Sequence, residues 1–538
     1  MLFRVLIYLS VLIVPLSLQA QFLEWAKSAG ELSRDAGRGV CVDNDGNVIV
    51  TGYFSGKINF EGTVYEGRGT DDAFVAKYNP EGALLWVKTA GGPLDDIAIG
   101  TAVDNDGNIF VVGSFDSIAF FDNILLTSTG RFDAFLAKYS PNGNLLWVKK
   151  MGGISSDAAF GVAADYKGNA YVIGDFQGFA ALGNNVLTSR GNKDVFVAKY
   201  NSNGDIVWSN RAGSSQEDLG LGIATDNEEG CYITGSFKSS ADFGNVELFT
   251  PSVSSEIFIA KIDSLGAWEW AEQAGSLTGD AGYAITVDED KNAYVTGYFS
   301  AEAYFGSFTI LARGYNDIFV AKYSAKGLCM WATHEGYNGL DIGTGIAVAD
   351  DGSIFVCGAI DSFAYFGNDF VGTGEQQDIF LAKWNRNGEY QWVTTGGGPN
   401  FQLAMAAAKG KENDIYVTGY YYALLQLDDT TLIQTQDADM FLLKYNDPLL
   451  SVSEIDNQNN IIAYPNPSND NVFIKYAVKP IEIEVYDNLG RKQLVDINYI
   501  SENELKISFN HLPSGIYYLH NVFRNSKVVK QIMVSNEN

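Results

Sequence analysis

Residues 74–88 read FVAKYNPEGALLWVK, and the return of this phrase decides the fold. It reads FLAKYSPNGNLLWVK from Phe135, FVAKYNSNGDIVWSN from Phe196 and FIAKIDSLGAWEWAE from Phe258. Two more copies are FVAKYSAKGLCMWAT from Phe319 and FLAKWNRNGEYQWVT from Phe380. A seventh, FLLKYNDP from Phe441, stops short of its Trp. The steps are 61, 61, 62, 61, 61 and 61 residues. A second phrase, TAVDNDGNIFVVGSF at 101–115, keeps the same period, with Gly52, Gly113, Gly174, Gly235, Gly297, Gly358 and Gly419 in phase. A fixed period of this kind marks a repeat architecture, in which each unit buries its apolar faces against its neighbours.

The Trp positions set the topology. Trp86, Trp147, Trp208, Trp270, Trp331 and Trp392 follow six of the phrases, and Trp25, in FLEWAKSAG at 22–30, stands 61 residues before Trp86. The last repeat therefore lacks its final strand, and the beginning of the mature chain supplies it. A closing ring needs this arrangement, because it removes the free sheet edge. A linear solenoid would carry atypical caps at its ends instead. Within a repeat the period is two, with many β-branched and aromatic residues. In the second repeat, residues 100–104, 109–115, 134–139 and 145–149 read as four strands, and 116–132 has room for a small hairpin. The turns at 105–108 and 140–143 carry the Asn, Asp and Gly that tight turns favour. The expected fold is all-β: a seven-bladed β-propeller of four-stranded blades over residues 21–446, closed by the N-terminal strand. Each Trp, buried between blades, should contribute roughly 3 kcal/mol or more. This register resembles the seven-bladed propeller repeats called SBBP repeats, found in secreted bacterial proteins. The resemblance implies a fold and leaves activity open.

The two ends have other jobs. Arg4, the apolar run from Val5 to Leu18 and the small residue Ala20 form a secretory signal over residues 1–20, too short to span a bilayer. Nothing later in the chain is apolar enough to be an integral membrane segment. Residues 447–460 are polar, with three acids and no bases, and read as a linker. Residues 461–538 have their own alternation, in VFIKY, IEIEVYD, ELKISF, GIYYLHNV and VVKQIMV, and are expected to form a small β-sandwich. Their phrases Tyr464-Pro465-Asn466-Pro467, VYDNLGR through Gly490, and LPSGIYY with Gly515 and Tyr517 are similar to the type A C-terminal sorting domain of the Bacteroidetes type IX secretion system. That resemblance implies the secretion machinery as a partner, passage across the outer membrane, and release or attachment at the cell surface.

Composition narrows the function. The chain has 36 Lys+Arg against 65 Asp+Glu, a net charge of −29, which excludes nucleic acid and anionic membrane as partners. Three His and four Cys are a poor inventory for metal or acid–base chemistry. Cys41, Cys231, Cys329 and Cys357 lack metal-ligand spacing and read as buried thiols. His334, in Thr-His-Glu-Gly, reads as a surface-loop residue. The DNDGN turns at Asp43 and Asp104 invite comparison with a calcium loop, but the twelfth position is Phe54 or Phe115 where a bidentate acid is needed. They read as hairpin turns, and no cofactor is implied beyond a divalent cation to be tested. Asp35, Asp96, Asp157, Asp218, Asp280 and Asp341 precede successive first strands, with Gln402 in the seventh place, as a candidate acid ring at the channel mouth. The opposing reading is that each Asp accepts backbone N–H groups where its strand begins. A second series, Asp72, Asp133, Asp194, Glu256, Asp317, Asp378 and Asp439, precedes each third strand and reads as architecture. Position-specific departures, Tyr420-Tyr421-Tyr422 and the extra residue near blade four, are better leads to a binding surface. The expected function is a secreted or cell-surface binding or adhesion scaffold for a glycan or protein. The alternative is a polysaccharide lyase or hydrolase using the acids at the propeller face.

Overall fold

A computed structural model describes residues 23–447 except 227–229, 375, 412–413 and 428. Beyond these it describes 462–534 except 465–470, 476–481, 488–490, 502–503, 510–511, 514 and 523–526. The expected signal over 1–20, nearly all of the expected linker, and Pro465, Asn466, Pro467 and Gly490 lie outside the described residues. The described residues are strands and turns, with no helix among them. None is therefore in a helix long and apolar enough to cross a membrane. The chain divides into two units, 1–446 and 447–538.

In the first unit the strand pairings define seven antiparallel groups of four among the described residues, some of them joined through the outer hairpins into sheets of ten and six strands. The first group is Asp35–Val42, Val48–Phe60, Thr63–Tyr78 and Leu84–Gly91, hydrogen-bonded in that order. Turns between strands are built by side chains. Asp104 Oδ1 accepts the N–H groups of Asp106 and Asn108, which bends the chain at the Gly107 turn. The loop between second and third strands does form a hairpin in every group. In the first, second and seventh groups it extends the long strands themselves, as where Ile118 pairs with Thr127. In the third it is a separate pair, Phe179–Leu182 with Asn185–Thr188.

The seventh group consists of Gln402–Lys409, Asp414–Leu427, Thr430–Asn446 and, as its fourth strand, Leu23–Ala29. Trp25 pairs with Lys444 and Ser28 with Phe441. The first strand of each group packs on the first strand of the next, and Gln402–Lys409 packs on Asp35–Val42, so the series closes on itself. Trp25 behaves as the other Trp residues do. Its indole N–H donates to the Pro80 carbonyl at 3.1 Å, as Trp86 does to Pro141 at 3.2 Å and Trp147 to Ser202 at 3.2 Å. In each case the acceptor lies 55 residues onward, in the turn of the adjacent group.

Cores lie between groups. One joins Val50, Phe54 and Phe74 of the first group to Tyr416, Met440 and Leu442 of the seventh, with Trp25 packed against it. The recurring Lys of the Lys-Tyr phrase is buried there too. Lys77 meets Asp43 at 2.8 Å, Lys138 meets Asp104 at 3.0 Å and Lys444 meets Asp414 at 3.0 Å. The acidic turns thus hold lysines. Burial pushes the Asp43 carboxyl up, but hydrogen bonds from Lys77 and Asn47 hold it below its ordinary range.

The second unit has two four-stranded antiparallel sheets. One pairs Ile462–Tyr464, Asn471–Lys475, Glu504–Ser508 and Asp496–Ser501 in that order. The other pairs Lys492–Gln493, Glu482–Asp487, Gly515–Val522 and Lys527–Val534. Val472, Ile474, Leu505 and Ile507 of the first share a core with Val485, Leu519 and Val534 of the second. Tyr464 and Gly515 lie in strands, and Tyr517 is buried, its hydroxyl donating to the Pro513 carbonyl at 2.8 Å.

Candidate functional site: the centre of the closed series

The innermost strand of each group carries one irregularity. In the first group the register shifts between Gly37 and Gly39, leaving Arg38 as an extra residue. The shift recurs at Ala98/Gly100, Ala159/Gly161, Gly220/Gly222, Gly282/Ala284, Gly343/Gly345 and Ala404/Ala406. A β-bulge re-aims the side chain of its extra residue. Here the seven bulge residues are Arg38, Ile99, Phe160, Leu221, Tyr283, Thr344 and Met405. All seven line one central cavity of about 450 Å³.

The flanking residues are small because neighbouring backbones crowd them. A Cβ at Gly39 would stand 2.5 Å from the Ile99 carbonyl oxygen, and one at Gly222 3.0 Å from that of Tyr283. The sequence therefore writes small–X–small once per period, with X free to vary. This signal was present in the sequence and was not used above. It separates architecture, which repeats, from lining, which does not.

Among the described residues Arg38 is the only charged one lining the cavity. Its Nε is buried with no hydrogen-bond acceptor among the described residues. Burial lowers its pKa below the ordinary arginine value, while the phenols of Tyr53, Tyr420 and Tyr283 act to raise it. Tyr420 meets Tyr422 edge to face at 6.0 Å, whereas Tyr421 is fully buried. The Tyr triplet thus sends its first member toward Arg38 and its second into the core. Tyr283 in turn lies 5.8 Å from Tyr298.

The predicted acid ring is elsewhere. Asp35, Asp96, Asp157, Asp218, Asp280 and Asp341 are all 0–1% exposed, and none lines the cavity. Each accepts the N–H of the residue four before it: Asp96 from Gly92 at 2.6 Å, Asp157 from Gly153 at 2.7 Å, Asp218 from Ser214 at 2.8 Å. Asp341 also takes the Asp361 N–H at 2.8 Å on its other oxygen. These acids tie strand ends together, as the backbone-capping alternative holds.

The second series meets the first. A Cβ at Gly30 would overlap Asp439 and touch Asp35, and one at Gly91 would overlap Asp72 and approach Asp96. Gly152 stands likewise between Asp133 and Asp157, and Gly336 between Asp317 and Asp341. A side-chain-free residue lets two buried carboxyls converge. Burial, with the neighbouring acid adding to it, pushes Asp35 up to about 9, Asp96 to about 8 and Asp341 to about 7. At the seventh junction the place of the first acid is taken by Gln402.

Other residues singled out by sequence fall as follows. His334 is not on a surface loop. It lies within the strand Cys329–Glu335, paired with Phe319, and its Nδ1 is 3.5 Å from Asp317 Oδ2. Its polar neighbours disguised a position that the sheet register makes half-buried. Cys231, Cys329 and Cys357 are buried free thiols and Cys41 is partly buried. The extra residue near the fourth group falls between Gly235 and Phe258, a span that contributes Pro251 and Glu256 to a recess of about 600 Å³ shared with Tyr304.

Residues 462–535 match the family described as the Secretion system C-terminal sorting domain. The chain is 20% identical over 502 residues to the uncharacterized WD repeat-containing protein L264 of Acanthamoeba polyphaga mimivirus, a match covering 74% of this chain and 36% of that protein. It is 25% identical over 346 residues to the Regulatory protein FlaEY of Caulobacter vibrioides, covering 59% of this chain and 35% of that one. The chain thus spans 36% and 35% of the length of these curated relatives. Among solved structures it is similar to a luciferin-regenerating enzyme, with a TM-score of 0.30, 11% identity and coverage of 78% and 95%. A glucose dehydrogenase gives a TM-score of 0.30 at 7% identity, covering 78% and 98%. A puromycin hydrolase gives 0.34 at 10%, covering 82% and 58%. Scores at this level assign neither fold nor activity to this chain. The comparisons bear most directly on the C-terminal unit, which carries a secretion-system sorting domain.

Proposed function

We propose that the chain is a binding scaffold of the cell exterior: a seven-bladed β-propeller over residues 21–446, exported by the type IX secretion system through a β-sandwich sorting domain at 461–538. The observation that carries the binding role is the division of labour in the repeat. Tryptophans, buried lysines and paired acids recur in register and hold the ring, while the inner bulge residues and the outer loops differ from blade to blade. The family match at 462–535 supports the export role. Ligands on this reading are glycans or proteins at the cell surface. The hydrolytic alternative loses its candidate acids, which are buried at strand ends.

The test has two arms. The mature chain from Gln21 is screened against glycan arrays and surface proteins of neighbouring cells. Saturable capture by a discrete ligand set supports the scaffold role, and failure to retain any ligand refutes it. In a host with type IX secretion, deleting 461–538 should leave the protein in the periplasm. Unchanged release from the deletion variant would refute the export route.

A further inference from the structure

We infer that the central cavity is a binding site for a small carboxylate carried on an apolar ring body. Arg38 is its anion partner, and Ile99, Phe160 and Leu221 form its apolar wall. This rests on the reading of the chain as a binding scaffold and names a ligand class for its centre.

The argument begins with a contrast. The chain has 65 acids, and its buried cations are supplied from them. Lys77 has Asp43, Lys138 has Asp104, and Arg211 has Asp194 at 2.8 Å. Even Arg34, four residues before Arg38, pairs with Asp71 at 2.7 Å. Arg38 has neither an ion pair nor an Nε acceptor among the described residues. Arg38 is half-buried with its Nε fully buried, and a partly desolvated guanidinium without a counter-charge is unfavourable in a protein interior. Among the described residues no carboxylate lines the cavity to relieve it. A planar guanidinium fork is matched best by the two oxygens of a carboxylate.

The wall says what that carboxylate is attached to. Around the closed series the bulge residues run Arg38, Ile99, Phe160, Leu221, Tyr283, Thr344 and Met405. Three consecutive groups therefore present Ile, Phe and Leu, and two present hydroxyl-bearing residues. The Thr344 hydroxyl is engaged with the Ala404 carbonyl at 2.6 Å. A cavity of about 450 Å³ with a single cation on one side and an apolar arc beside it has the make-up of a small-molecule pocket. Tyr53, Tyr420 and Tyr283 interact electrostatically with the guanidinium, and Tyr283 also lines the cavity, where a phenol ring suits a flat ligand ring.

The experiment titrates 2-naphthoate and its neutral counterpart 2-naphthamide into the full mature chain by calorimetry at pH 7. The expected result is saturable one-to-one binding of the acid, weakened about tenfold or more in the amide and in Arg38→Met. Arg131→Met, on the exposed surface, should bind as wild type does. Met405→Glu places a carboxylate on the group adjacent to Arg38. It should abolish naphthoate binding and raise the melting temperature, which keeps the inference testable if Arg38→Met fails to fold. Equal binding of acid and amide, wild-type affinity in a folded Arg38→Met, or no saturable binding of naphthoate by folded wild-type protein at millimolar concentration would overturn it. Capture of a glycan or protein that persists in Arg38→Met, with naphthoate not bound, keeps the scaffold reading and sinks this one. Naphthoate binding through Arg38 with an empty capture screen does the reverse.

Discussion

Asp35→Asn should stabilise the protein at neutral pH and do nothing at pH 4. Asp35 is fully buried, its Oδ2 accepts the Glu31 N–H at 3.2 Å, and its Oδ1 has no hydrogen-bond partner. Burial, then the nearby Asp439 carboxyl, pushes its pKa from 3.8 to about 9. The native state therefore keeps the proton at pH 7 while the unfolded chain has released it. A raised native pKa gives stability that is complete below 3.8 and is lost as pH climbs toward 9. At pH 7 the gap is 7 minus 3.8, or 3.2 units, and at about 1.36 kcal/mol per unit the penalty has an upper limit near 4 kcal/mol. Asparagine keeps the acceptor for Glu31 and has no proton to lose. The expected gain is about 2 to 4 kcal/mol at pH 7, shrinking to zero near pH 4. Urea unfolding of wild type and variant at pH 4, 5.5, 7 and 8 measures it. A gain independent of pH, or a loss at pH 8, would refute the account of the paired acids.

Other consequences follow from the same contacts. Trp25→Ala should lower stability by about 3 kcal/mol and release the amides of Thr430–Asn446 to hydrogen exchange, whereas Trp147→Ala should leave those amides protected. Lys138→Met alone leaves the buried Asp104 carboxylate without its counter-charge and should be destabilising by about 3 kcal/mol in denaturant melts; adding Asp104→Asn, which keeps an acceptor for the Asp106 and Asn108 N–H groups and removes the charge, should recover part of it. Tyr517→Phe removes the hydroxyl bond to Pro513 in the C-terminal unit and should lower stability by about 1 kcal/mol, a change confined to that unit's unfolding transition.

The strand closure was legible because the contact it depends on is written at a fixed offset. Trp25, Trp86, Trp147 and Trp270 each reach a turn 55 residues onward, and Trp25 supplies that contact to the first group. The positions of the acids were legible for the same reason, since register locates Asp35 or Asp96 at the beginning of a strand. Their exposure was not. Whether a carboxyl faces a channel or folds back onto the N–H four residues earlier is decided by backbone turn geometry and by glycines such as Gly91, which let a second acid approach. His334 misled in the opposite direction: its polar neighbours hid a strand whose burial comes from the Phe319 register.

The centre was missed for a more general reason. Repeats are found by what stays constant, so attention falls on the residues that hold the ring. A residue that contacts only ligand has no reason to be constant, and variation at a fixed structural position is its signature. The bulge supplies that position. It costs a ladder irregularity in every group and is kept in all seven, although a regular strand would pair more backbone. Small residues on both sides protect it sterically, while the residue between ranges from Arg to Phe to Thr. An outer bulge before each Trp also varies, from Glu24 to Leu85 to Met330, but its extra residue is turned to the exterior, whereas the inner one lines the cavity. Substituting Phe160 or Leu221 by Ala should therefore leave stability nearly unchanged, within about 1 kcal/mol, and alter ligand preference instead. Core-like losses of 3 kcal/mol or more on either substitution would mean that the lining is packing.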